Sequence, residues 1–136
     1  MKKIARGLRN NNPGNIRINK DLFQGEVRPS TDTAFKQFEA ISYGYRAIFK
    51  ILKRYRNNYH LDTIRKMITR WAPPTDKDND TELYINKVSE YSGIPADNPI
   101  DVSSREQMIR IVAAMSRIEN GVKADMSDVI AGWDLL

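Results

Sequence analysis

Arg9-Asn10-Asn11-Asn12-Pro13-Gly14-Asn15-Ile16-Arg17 is the stretch from which the rest of the chain is read, because no regular helix or strand needs three asparagines followed by Pro-Gly. Pro13 fixes its own φ and pushes Asn12 out of the α region, Gly14 can take positive φ, and asparagine side chains bond nearby backbone groups. The stretch predicts a shaped polar loop with a Pro-Gly turn and a strand beginning at Asn15-Ile16. Two readings of its amides stay open. Either they rigidify an ordinary loop, or they line a groove for a hydroxyl- and amide-rich ligand such as a glycan, which needs both donors and acceptors.

Working outward, Asn15 to Asn19, Phe23 to Val27 and Thr33 to Phe38 are short, rich in β-branched or aromatic residues, and separated by Asp, Gly, Pro and Ser. They predict a small β-hairpin or irregular sheet. Beyond it the periodicity turns helical. Ser42 to about Asn57 places Tyr43, Ala47, Ile48, Ile51, Leu52 and Tyr55 on one stripe. A second helix runs from Asp62 as N-cap to Trp71, where Ala72-Pro73-Pro74 stops it, and the polar loop Thr75 to Asp80 follows. A third starts near Asp80-Thr81, carries Tyr84, Ile85, Val88 and Tyr91 on one side, and ends at Gly93. Ser103-Ser104-Arg105-Glu106 matches a capping box and opens a fourth, and Ser127 to Trp133 forms a last short one. The expected class is mainly α (α+β), a helical domain with a small N-terminal β-hairpin, in one domain spanning residues 1–136.

With 136 residues, 40% of them hydrophobic, the chain can bury one real core. It has no cysteine and a single histidine, so disulfides, thiolate metal sites, a cysteine nucleophile and a His-based metal cluster are excluded. Neither metal nor cofactor is expected, and His60, before an apparent helix start, reads as a surface residue. Met1-Lys2-Lys3-Ile4-Ala5-Arg6 is basic, but an apolar run does not follow, so synthesis without a signal peptide is expected. No apolar segment approaches the roughly 20 residues of a membrane span. The net charge of +5 favours a polyanionic partner without naming it. The densest basic group, Lys50-Ile51-Leu52-Lys53-Arg54-Tyr55-Arg56, reads as the solvated face of an amphipathic helix. No nucleic-acid recognition motif accompanies it, so no specific nucleic-acid partner is expected.

One carboxylate stands where an apolar residue is expected. At about 100° per residue from Met108, the positions Ile111, Val112, Met115 and Ile118 form a narrow stripe, and Glu119 falls close to its centre. Partial desolvation there, together with the negative pole of a helix ending at Asn120-Gly121, disfavours the ionised form and would suit a general acid. The alternative is a stripe that has left the core by its last turn, with Glu119 reaching water.

Together these stretches resemble a family of phage virion and prophage proteins with an RNNNPGNIR-type signature. Arg9 to Arg17 carries the likeness first, followed in order by Phe23-Gln24-Gly25, Phe35-Lys36-Gln37-Phe38, Gly44-Tyr45-Arg46-Ala47, Trp71-Ala72-Pro73-Pro74 and Asn79-Asp80-Thr81-Glu82-Leu83-Tyr84. A second likeness concerns the fold. Thr81 to Val88 is similar to the T-x-x-Y-V-x-K/R-V helix of lysozyme-like lytic transglycosylases, and Ala113 to Gly121 resembles their catalytic helix, an apolar run ending in Glu. Asn120 follows the glutamate where those enzymes usually have Ser. Asn11 to Ile16 is also similar to the Asn-Asn-x-Phe-Gly-Ile stretch of wall glucosaminidases of the same broad fold. In the transglycosylases the glutamate helix precedes the hairpin, whereas here it comes late, so the resemblance implies a circular permutation.

What the resemblance implies is cleavage of the β-1,4 bond between N-acetylmuramic acid and N-acetylglucosamine in bacterial peptidoglycan, with Glu119 as acid and base. Tyr84 would orient the acid or the substrate. Asn11, Asn12, Asn15 and Gln37 would bind N-acetyl groups or ring hydroxyls. Trp71 and Trp133 are candidates for stacking on sugar faces, against core anchoring. A hydrolytic version needs a second carboxylate at about 5–5.5 Å or 6.5–9.5 Å. Asp21, Glu26, Asp32 and Glu39 are the candidates near the hairpin. The expected setting is a monomer made in the host cytoplasm that reaches the periplasm or cell wall in the virion or by holin-assisted release, alone or with other virion proteins. The rival reading is a non-catalytic virion component that holds wall glycan, and a basic nucleic-acid-binding protein comes third.

Overall fold

The computed structural model describes residues 4–76 and 78–136. The basic start Met1-Lys2-Lys3 and Lys77 of the polar loop lie outside the described residues. The described chain is mainly helical, with a small two-stranded antiparallel sheet: α1 (Arg6–Arg9), β1 (Glu26–Val27), β2 (Gln37–Phe38), α2 (Ile41–Tyr59), α3 (Ile64–Trp71), α4 (Thr81–Ser92), α5 (Arg105–Asn120) and α6 (Met126–Asp134).

Local capping chemistry sets most helix ends. Asp80 accepts from the Leu83 amide at the start of α4, and Asp125 accepts from Ser127 at the start of α6. Gly93 and Gly121 close α4 and α5 in the left-handed conformation. Two expected caps move by one residue. Thr63, not Asp62, caps α3, while the Asp62 carboxylate instead pairs with Lys66. Ser104, not Ser103, caps α5 through the Gln107 amide, and the Gln107 side chain reaches back to the Asp101 amide. His60 ends α2 at φ 56, an exposed residue in a left-handed turn.

The expected three-segment hairpin is thinner than its composition implies. Only Glu26 with Phe38 and Val27 with Gln37 pair as strands, and the expected strand at Asn15-Ile16 shrinks to a single bridge between Arg17 and Phe35. Side-chain chemistry stiffens the rest. Lys36, fully buried, donates from Nζ to both Glu26 oxygens at 3.0 Å and to the Asp21 carbonyl at 2.7 Å. Burial pushes the Glu26 carboxyl up, but hydrogen bonds from Arg28, the Phe23 amide and Lys36 outweigh it and hold the group below its ordinary range. Asp32 is held well below its ordinary range by the Arg6 guanidinium and by the Ala34 and Phe35 amides.

The core gathers around α2, which buries Tyr45, Ala47, Ile48, Phe49 and Leu52. Its most buried side is broader than the expected stripe, since α6 also packs along it. Phe49 meets Trp133 edge to face at 5.3 Å. Trp133 is therefore a core anchor, not a sugar platform. On α5 the buried set is Met108, Ile109, Ile111, Val112, Ala114, Met115, Ser116 and Asn120, with Ile118 and Glu119 half-buried. The helix is rolled relative to the expected stripe, so Asn120 takes the innermost position of the last turn and Glu119 its edge.

Candidate active site

Residues 7–16 form the scaffold of the site. Positive φ falls on Asn11 (53°) and Asn15 (49°), not on Gly14, because short amide side chains tolerate the left-handed region and bond the neighbouring backbone. Asn12 is fully buried. Its Nδ2 donates to the Ile16 carbonyl at 3.0 Å and to the Lys36 carbonyl at 2.9 Å, and its Oδ1 accepts from the Ile16 amide at 3.0 Å. Asn11 donates to the Phe38 carbonyl, and Asn10 donates to Asp32. These three amides are spent inside the protein, stapling the loop to the strands.

The loop is then pressed against two helices. Gly44 of α2 lets the Asn11 carbonyl and the Pro13 ring come so close that any side chain there would overlap them. Asn120, the last residue of α5, donates to the Pro13 carbonyl and to the Ser116 carbonyl, both at 2.9 Å. Ser116 is bonded to the buried Tyr45 hydroxyl of α2 at 2.9 Å. Loop, α2 and α5 are thus locked through Tyr45, Ser116 and Asn120, none of which stood out as a site residue in the sequence. A polar pair four residues apart at the buried end of an apolar helix, Ser116 and Asn120, was the available signal.

This lock brings residues 104 positions apart together: Asn15 Nδ2 donates to Glu119 Oε1 at 3.0 Å. From the other side the Tyr84 hydroxyl of α4 donates to Glu119 Oε2 at 2.9 Å. Burial first, then the Glu119 charge and the hydrogen bond to it, push the Tyr84 hydroxyl well above its ordinary range, while the Trp71 side chain pulls the other way. Tyr84 therefore stays protonated and remains a donor across physiological pH. A carboxylate offers about four acceptor directions, so two donors leave Glu119 with free directions toward the cleft.

Glu119 lines a cleft of about 660 Å³, together with Gly14, Asn15, Arg17, Asp21, Tyr55, Tyr59, Trp71 and Asp76 among others. Of the residues expected at a site, Glu119, Asn15 and Trp71 share this cleft and Tyr84 stands behind the carboxylate. Asn11 and Asn12 do not line it, because their amides face the strands. Gln37 does not line it either, since its Oε1 accepts from the Thr31 amide and hydroxyl. Among the expected second carboxylates, Asp21 lines the cleft, Glu26 and Asp32 are tied into their ion pairs, and Glu39 is exposed elsewhere. Asp76, unremarked in the sequence, also lines the cleft. Among the described residues there is no cluster of metal-ligating side chains and no helix long and apolar enough to cross a membrane.

Over 124 residues the chain is 39% identical to Protein P5 of Pseudoalteromonas phage PM2, in an alignment covering 89% of this chain and 74% of that protein. The chain belongs to the family of this phage protein. No protein-family model matches the chain. That relative is a bacteriophage protein, in keeping with the phage resemblance read from Arg9 to Arg17.

Proposed function

We propose that this P5-family protein is a peptidoglycan-cleaving glycosidase acting on the bond between N-acetylmuramic acid and N-acetylglucosamine, as a lytic transglycosylase with Glu119 as its one acid and base. A single observation carries the reading. A carboxylate at the wall of an aromatic-lined cleft is held on one oxygen by an amide and on the other by a tyrosine hydroxyl, with oxygen directions left toward the cleft.

In this reading protonated Glu119 donates its proton to the glycosidic oxygen as the bond to the anomeric carbon breaks. The resulting carboxylate takes the proton from the muramyl 6-hydroxyl, whose oxygen closes on the anomeric carbon. One proton is given and one recovered, no water is consumed, and a second carboxylate is not required. Tyr84 stabilises the carboxylate after the first transfer. Asn15 suits both states, because rotating its amide presents an acceptor to the protonated acid in place of a donor to the anion. Trp71 supplies an apolar face for a sugar ring.

The fold reading that goes with this is a circularly permuted lysozyme-like domain. Its support is that α5 ends beside the loop leading into the hairpin, which is the connection an unpermuted chain would make directly.

Incubation with purified peptidoglycan, followed by mass spectrometry of the released muropeptides, tests the proposal. Anhydro ends are expected. Reducing ends would instead make the enzyme a hydrolase and direct attention to Asp21 and Asp76. Binding without release would leave a non-catalytic wall binder. Glu119→Gln should lower the rate by about 10²–10⁴-fold, the usual contribution of general acid–base catalysis, and full activity in that variant would remove Glu119 from the mechanism.

A further inference from the structure

The outer part of the cleft carries three arginines, Arg17, Arg54 and Arg70, each within cation–π distance of an aromatic ring. The Arg70 guanidinium lies 3.9 Å from the centre of the Tyr59 ring and 5.4 Å from that of Tyr55. Arg17 lies 5.4 Å from the Phe35 ring and Arg54 5.2 Å from Phe23. Contact of this kind restricts where a guanidinium can swing, and a guanidinium held near a cleft wall can meet a carboxylate with two parallel hydrogen bonds. Arg54 already faces Asp21 at 3.7 Å, but Arg17 and Arg70 have no acidic partner within 4.0 Å among the described residues.

A neutral sugar polymer gives such groups nothing to pair with. The cleft also bears Asp21, Asp76 and Glu119, so a uniform run of phosphates would meet as many repulsive groups as attractive ones. A ligand with isolated carboxylates separated by amides and sugar rings matches both sets.

Resting on the glycosidase reading above, we propose that Arg70 and Arg17 form a subsite for the carboxylates of the peptide stems borne by wall glycan, so that the cleft selects peptide-bearing strands over bare ones. Arg70 is the principal contact and a determinant of specificity, not of bond cleavage.

The test compares three soluble probes at one ionic strength: glycan strands with intact stem peptides, each stem bearing several carboxylates; the same strands stripped by an amidase, which leaves one lactyl carboxylate on each muramyl residue; and neutral chito-oligosaccharides. Binding is measured on Glu119→Gln protein so that strands survive, and cleavage on the wild type. Intact strands should bind about tenfold more tightly than stripped ones, and chito-oligosaccharides more weakly still. Adding Arg70→Gln should remove most of the tenfold difference. Arg105→Gln, which removes the same charge at the start of α5, the end opposite Glu119, should leave the difference in place. Wild-type protein that cleaves intact and stripped strands alike, or an unchanged preference in Arg70→Gln, overturns the subsite while the glycosidase reading stands. Failure to bind or cleave any wall probe removes that reading and the subsite with it. Single-stranded DNA bound as tightly as intact strands also overturns the proposal, in favour of a polyphosphate partner.

Discussion

Asn12→Ala separates a staple from a substrate contact. The Asn12 side chain makes three hydrogen bonds in a site with no solvent exposure, and the loss at each partner is not equal. The Ile16 carbonyl also accepts from the Lys36 amide at 2.9 Å, so it keeps a partner when Asn12 is removed. The Ile16 amide and the Lys36 carbonyl have no other hydrogen bond among the described residues, and both become buried and unpaired. At roughly 1–3 kcal/mol for each abandoned buried group, the change should destabilise the fold by about 3 kcal/mol. For a domain of this size that is a fall in Tm on the order of 10 °C. Urea denaturation with a fixed slope, checked by a thermal melt, measures it. A variant within about 0.5 kcal/mol of the wild type would refute the accounting, and one that folds normally yet loses affinity for wall glycan would restore the substrate role that the asparagine run invites.

Two further predictions probe how the loop is supported. A Cβ at Gly7 would stand 2.5 Å from Asn120 Oδ1 and 2.8 Å from both the Asn12 carbonyl and Asn15 Oδ1, so Gly7→Ala must displace the two side chains that tie the loop to α5. Overpacking of this kind costs about 1–3 kcal/mol, of which better helix propensity returns at most about 1; a variant as stable and as active as the wild type, by denaturation and by muropeptide release, would show that the approach is not tight. In acid, Glu26 and Asp32 both have folded-state values below their ordinary ones, so their contribution is fully present above the usual carboxylate range and is lost as the pH falls below about 4. The Tm should therefore decline on acidification through that range, less steeply in Glu26→Gln once its lower starting stability is taken into account, and a flat profile down to about pH 3 would contradict both assignments.

The helices were legible because their signals are short-range. Asp80, Gly93, Gly121 and the Pro73-Pro74 stop act within a turn of the residues they terminate, and apolar spacing marks the faces of α2 and α5. Even there a one-residue choice between Asp62 and Thr63, or Ser103 and Ser104, turns on which side chain reaches the amide three positions on, which composition alone does not decide. The four-residue α1 carries no apolar period to betray it. The site was half legible for the same reason. Glu119 stood out as a carboxylate on an apolar helix and Tyr84 through a helix resemblance, but apart from Ile16 the side-chain partners of the asparagines on the other elements lie 22 to 107 residues away and leave no local trace.

That distance explains why the asparagine run is dense. Each amide serves a different distant partner. Asn10 holds Asp32, Asn11 holds the Phe38 carbonyl, Asn12 joins residues 16 and 36, and Asn15 alone is left for Glu119. A loop with positive φ at two non-glycine positions is held in shape only while its surroundings fix it, and here the fixing groups are the ends of α2 and α5. The geometry at Glu119 is consequently set by the packing of the whole N-terminal loop, as well as by the helix that carries the glutamate. Changes at Gly7, Asn12 or Gly44, none of which lines the cleft, should move Asn15 relative to Glu119 before they unfold the chain. Asn15→Gly, by contrast, removes one donor, suits the positive φ of 49° at that position without strain, and leaves the loop's other ties in place. The loop variants and Asn15→Gly should thus impair the same carboxylate by different routes, the first with a large loss of stability and the second with a small one.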